Sequence, residues 1–365
     1  MSSFHERLYG STSQNLFAPL IPLITQISDI LVKDFKSKFS DGRYTTPKNL
    51  NVQWVASFDF QASASVSQTD ENQHTITIFY GAPISIYKDA VLFPQMCRQH
   101  FSSEKYNELF TLLDYGNGPE NVMPINLNDE DAKLEFFNTS LGWLYLHEQA
   151  HLFQNHGIIL AAELGAEANN NQFAWEEFLS NSSEPVVGKE AWIRHSFEIS
   201  ADYEATNLII QYLLIKDDQS LKKSTLWLLI AGLTCMFHRF YGKERPIHAG
   251  IAIGTHPDPA YRMQYTFTNI IQTLTHQKVQ QYVPWAQSAE DLQKVMLHAF
   301  NTANMYMQIA HFEQPGLPQF MSRTFDHSKE TKNYQSNISS TWNSLHPKVM
   351  QKHFGWGPGS VMSFA

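Results

Sequence analysis

Residues 141–157 read LGWLYLHEQAHLFQNHG, and this stretch limits the fold more than any other. Leu141, Leu144, Leu146, Leu152 and Phe153 surround two histidines and a glutamate with apolar side chains. A helix apolar around most of its circumference has to lie inside a larger protein. His147 and His151 are four residues apart, so they differ by about 40° around a helix advancing about 100° per residue. Both imidazoles then face the same way, with Glu148 directly after the first. This HExxH spacing lets two histidines grip one ion while the glutamate handles a water beside it. The helix is predicted to start at Asn128 or Asp129, where acidic residues suit an N-terminus, and to stop at Gly157.

Helical periodicity recurs over about residues 20–39, 158–168, 190–216, 221–241, 259–275 and 288–312. Two alternating stretches, NVQWVASFDF (51–60) and HTITIFYG (74–81), predict strands joined by the turn segment SQTDENQ. Residues 181–189 read as a loop, and the chain beyond Phe312, with Pro315 and Pro318, as an irregular tail. The expected fold is α+β and predominantly helical, with a small N-terminal antiparallel sheet. A chain of 365 residues has room for one or two domains. The expected division is an N-terminal helical region (1–50), a catalytic domain holding the HExxH helix (51–280), and a C-terminal helix with its tail (281–365).

Composition narrows the function. A net charge of −9 argues against a broad nucleic-acid surface, which needs clustered Lys and Arg. Cys97 and Cys235 are the only cysteines, too few for a disulfide framework or a cysteine zinc site, and they suit a reducing cytoplasm. The start, MSSFHERLYGSTSQ, lacks a basic region followed by an apolar core, so no signal peptide is expected. The longest apolar run, LWLLIAGLTCMF, falls short of the roughly 18 residues of a membrane span, so no membrane insertion is expected.

Two histidines need a third ligand. A metzincin site would require Gly and His where Gln154 and Gly157 stand, and His156 is predicted to point away from the ligand face. Glu163, Glu167, Glu176 and Glu177 lack an aspartate four residues on, whereas RHSFEISADYEAT supplies Glu198 followed by Asp202. Glu198 would be the anionic ligand, leaving a fourth position for water. Asp202, one turn later, could accept a hydrogen bond from the non-ligating nitrogen of a metal histidine. Ala201 is small enough for close helix packing. His195 is a rival ligand on the same face, and Glu204 allows the plainer reading of a solvated acidic surface.

The segment GTHPDPAYRMQY adds His256-Pro257 and Arg262. With it the chain resembles the zinc endopeptidase family of the CAAX prenyl endopeptidases and the HtpX heat-shock proteases. That family carries HExxH, ExxAD and THPxxxxR in this order. They stand here as His147-Glu148-Gln149-Ala150-His151, Glu198-Ile199-Ser200-Ala201-Asp202, and Thr255-His256-Pro257 with Arg262. The resemblance covers about residues 76–275; the N-terminal region, the tail and the lack of membrane helices depart from it.

The resemblance implies a zincin-like fold and one Zn²⁺ held by His147, His151 and Glu198. It implies an endopeptidase acting on an intracellular protein or peptide, with Glu148 as the base. His256 would stabilise the oxyanion, and Arg262 would assist it or brace Asp202; Tyr203 and Tyr261 are secondary candidates. An edge strand such as TITIFYG could bind an extended peptide by strand addition, and residues 160–190 or the tail could cover the cleft. HExxH is also shared with the phage-exclusion protease Lit. GTHPDPAY is partly similar to the aspzincin signature, which would make Asp258 the third ligand. The alternative is a catalytically silent zincin-fold regulatory or binding protein, against which Glu148 argues, since a purely structural site needs no base. Nothing in the sequence indicates an oligomeric state.

Overall fold

The computed structural model describes residues 18–67, 69–99, 123, 127–165, 173–176, 186–217, 220–241, 250–310, 317–355 and 361–362. In chain order they form α1 (Ile21–Phe35), β1 (Asn49–Val55), β2 (Ala62–Val66), β3 (Gln73–Phe79), α2 (Gly81–Gln99), α3 (Asp129–Phe153) and α4 (His156–Leu164). There follow β4 (Phe173–Glu176), α5 (Gly188–Lys216), α6 (Lys223–Tyr241), α7 (Pro259–Thr275), a one-turn α8 (Gln277–Gln280), α9 (Ala289–Ala310), α10 (Leu317–Thr324) and α11 (Lys329–Lys352). Residues 166–168 of the expected 158–168 helix and 181–185 of the expected loop lie outside the described residues.

Helix α3 carries the HExxH stretch through the centre of this α+β, mostly helical fold. The Asn128 side chain accepts from the Asp131 amide at 2.8 Å, and Asp129, Glu130 and Asp131 complement the positive end of the helix. Every residue from 139 to 153 is buried, because α5 and α6, α2, α1 and strand β2 pack around it. The helix does not run to Gly157. It ends at Gln154 and Asn155, where Asn155 takes a left-handed conformation (φ 53°) that asparagine tolerates better than most residues. Gly157 falls inside α4, and the turn swings His156 back toward α3.

The sheet has the order β1-β3-β2-β4. Strands β2 and β3 pair antiparallel, as do β2 and β4, but β1 pairs parallel to β3, with Val52 opposite Ile76. The sheet is therefore mixed, where an antiparallel one was expected. Strands β2 and β4 are the unpredicted ones; β2, ASASV, alternates buried and half-buried residues but offers Val66 as its single β-branched side chain and no aromatic. Its insertion makes β3 interior, so the TITIFYG stretch is not an edge available for strand addition; β1 and β4 are the edges among the described strands.

The chain beyond Phe312 is also more regular than expected. Tyr334, Ile338, Trp342, Leu345 and Val349 recur every three or four residues and form the buried stripe of α11, which packs on α5 and α4. No described helix is long and apolar enough to cross a membrane.

A pinned contact joins α1 to the back of α3. After a π turn at Lys36–Ser40, the Ser40 hydroxyl lies 2.6 Å from the Tyr145 hydroxyl and donates to Gln149 Oε1 at 3.0 Å, while Gln149 Nε2 donates to the Phe39 carbonyl at 3.0 Å. Gly142 permits this approach, since a Cβ there would sit 2.3 Å from the Phe35 ring. That ring is fully buried against Phe39, Tyr145 and Tyr212 and has nowhere to move. Gly142→Val should lower unfolding stability by about 1–3 kcal/mol through overpacking. Urea denaturation measures it, and unchanged stability would show that α1 can shift.

Candidate metal centre

Helices α3 and α5 are locked in register by the buried Trp143 indole, which donates to Thr206 Oγ1 at 3.0 Å. The Trp143 ring also stacks on His147, with centroids 5.3 Å apart. One turn separates His147 from His151 on α3, and one turn separates Glu198 from Asp202 on α5. Four residues thus face each other across one helix–helix contact.

His147, His151 and Glu198 form a buried group whose ligand atoms all lie within 4.8 Å of one another. It is the one such group of three or more metal donors among the described residues. His147 Nε2 is 3.1 Å from His151 Nε2 and 3.5 Å from Glu198 Oε2, and His151 Nε2 is 3.4 Å from Glu198 Oε1. A tetrahedral ion with ligands at about 2.0–2.1 Å has its donor atoms about 3.3 Å apart, so the three side chains fit one ion. Burial, followed by the neighbouring His147, holds His151 well below the usual histidine range, and neutral imidazole is the form that binds metal.

The surrounding residues fix these donors. His147 Nδ1 lies 2.9 Å from Asp202 Oδ1. Asp202 is in turn gripped by Arg262, whose Nε and Nη2 each donate at 2.8 Å to a different carboxylate oxygen. The Arg262 guanidinium lies over the Phe237 and Phe240 rings, with Nη1 3.5 Å from Glu198 Oε2. Of the two roles open to Arg262, the structure shows it bound to Asp202.

His256 is carried in by the loop before α7. Gly254 (φ 84°) allows the loop's sharp turn, and its amide donates to the Val186 carbonyl at 2.8 Å, tying the loop to the start of α5. His256 Nε2 is 3.5 Å from Glu198 Oε1, and Nδ1 is 2.8 Å from Thr255 Oγ1. A Thr255 hydroxyl donating to Nδ1 places the imidazole proton on Nε2, facing the donor group.

The rival ligands are used elsewhere. His195 Nδ1 lies 2.7 Å from the Tyr334 hydroxyl and is not among the three clustered donors. Asp258 caps α7 by accepting from the Ala260 amide at 2.9 Å, and pairs with Arg323. The Tyr261 hydroxyl is 3.0 Å from Thr331 Oγ1, and Tyr203 lines a 520 Å³ cavity between α5, α7 and α11. Asp202 reaches that cavity; none of the three metal donors does.

His156 is outside the three clustered donors, yet its Nδ1 is 2.9 Å from Nδ1 of His151, and its ring stacks on Phe197 at 4.1 Å. Behind it, Gln154, Ser200, Glu204 and His353 continue a buried polar chain. Glu204, readable as a solvated acidic residue, is fully buried. No sequence signal exposed this set, because it depends on the left-handed turn at Asn155 and on the end of α11.

Comparison with family models, with curated proteins and with solved structures finds no match to this chain.

Proposed function

We propose that the protein is a zinc-dependent endopeptidase of zincin-like fold. The observation that supports this most directly is the spacing of His147, His151 and Glu198, with Glu148 on the next residue of the same helix. A two-histidine, one-carboxylate set suits zinc, whereas magnesium and calcium favour oxygen ligands. When bound, Zn²⁺ supplies Lewis acidity that polarises a scissile carbonyl and acidifies water.

The protein's own groups supply the rest. Glu148 takes the proton of the attacking water and delivers it to the leaving amine. His256 presents its Nε2 proton to the carbonyl oxygen as that oxygen gains charge. Asp202 orients His147, and Arg262 orients Asp202. Glu148 and His256 are only 1% and 6% exposed, so both groups would work shielded from bulk water.

The test is zinc analysis together with cleavage of a peptide library. About one zinc per chain is expected, with cleavage abolished by a chelator and restored by added zinc. Zinc-free protein at neutral pH, or chelator-indifferent cleavage, overturns the proposal. Zinc without cleavage of any peptide favours the catalytically silent regulatory protein. Glu198→Ala should weaken zinc binding by more than the roughly 10–100-fold typical of an outer-shell partner. His195→Ala and Asp258→Ala should leave it intact. A loss confined to either of those variants would move the third ligand there.

A further inference from the structure

The structure assigns His156 a positioning role: through Gln154 it sets which nitrogen of His151 faces the metal. This inference rests on the zinc reading above. The direction of the chain is fixed at its far end. The Ser200 backbone carbonyl can only accept a hydrogen bond, and it lies 3.2 Å from Gln154 Nε2. Glu204 Oε2 lies 2.9 Å from the same nitrogen, and the Glu204 carboxylate also faces His353 Nε2 at 3.1 Å. The Gln154 amide nitrogen must therefore point this way, which turns its oxygen toward His156.

Gln154 Oε1 accepts from the Ser200 hydroxyl at 2.6 Å and from His156 Nε2 at 3.0 Å. The His156 proton is thereby placed on Nε2, leaving Nδ1 as an acceptor. That acceptor is 2.9 Å from His151 Nδ1, which has to carry the proton. The His151 Nε2 lone pair is then left for the group formed with His147 Nε2 and Glu198. Reversing the His151–His156 bond would turn the His156 Nε2 lone pair onto the Gln154 oxygen. Flipping the amide to relieve that would set the oxygen against the Ser200 carbonyl and the Glu204 carboxylate, acceptor against acceptor.

The two metal histidines are thus held by different chemistry. His147 leans on the carboxylate of Asp202, and His151 on a neutral imidazole relayed through an amide. The relay starts from the turn that ends α3 and finishes at His353, just past the end of α11, so the C-terminal helix borders the support of the site.

The test uses the full-length chain, with zinc affinity measured by competition against a chromophoric chelator. His156→Phe keeps the stack on Phe197 and removes the acceptor; it should weaken zinc about 10–100-fold. His156→Asn places an oxygen near the former Nδ1 and should recover most of that loss. Nitrogen NMR of histidine-labelled, zinc-loaded wild type should show His151 protonated at Nδ1 and His156 at Nε2. Equal affinity of wild type and His156→Phe, or the opposite protonation in wild type, overturns the inference while leaving the zinc reading standing. Failure of wild type to bind zinc overturns both.

Discussion

Glu148→Gln should leave zinc content unchanged and lower kcat/KM for peptide cleavage by about 10²–10⁴-fold, the range carried by a positioned general base. Glutamine matches the shape and hydrogen-bonding reach of glutamate, so the fully buried helix around it need not repack. Glu148 is outside the three clustered donors, so its loss should not release the ion. A structural glutamate would behave differently: its replacement would shift the unfolding midpoint and leave any cleavage intact. Paired measurement of zinc and kcat/KM separates these cases. Cleavage undiminished in Glu148→Gln would remove the residue from the mechanism.

The parts of the site that could be read in the sequence are those set by local helix geometry. His147 and His151, and then Glu198 and Asp202, each lie one turn apart, and periodicity alone places each pair on one face. That His147, His151 and Glu198 come together required the packing of α3 on α5, which no local pattern encodes; the order of three motifs stood in for it. His256 and Arg262 reach the site through a loop tie at Val186 and a fork onto Asp202, both long-range. The failures share a cause as well. Strand β2 is alanine and serine but for Val66, α11 hides a five-residue apolar stripe in polar sequence, and one left-handed asparagine redirects His156. In each case tertiary context overrode weak local preference.

Arg262→Met should be the most destabilising of these substitutions. It leaves Asp202 and Glu198, both fully or almost fully buried, without the guanidinium that lies against them, and breaking a buried pair from one side typically costs about 3–5 kcal/mol. A bound cation would stand close to the same carboxylates, so zinc should offset part of the loss. Ligand linkage alone adds about 2.7 kcal/mol at a hundred times Kd. Urea denaturation of wild type and Arg262→Met, each with and without zinc, reads both effects. Adding Asp202→Asn to Arg262→Met should cost less than the sum of the single changes, because removing the second charge relieves the stranded first. Additive losses would mean that Arg262 does not act through Asp202. A variant of normal stability and zinc affinity whose kcat alone fell would assign Arg262 to the substrate, the other role its place in the sequence allows.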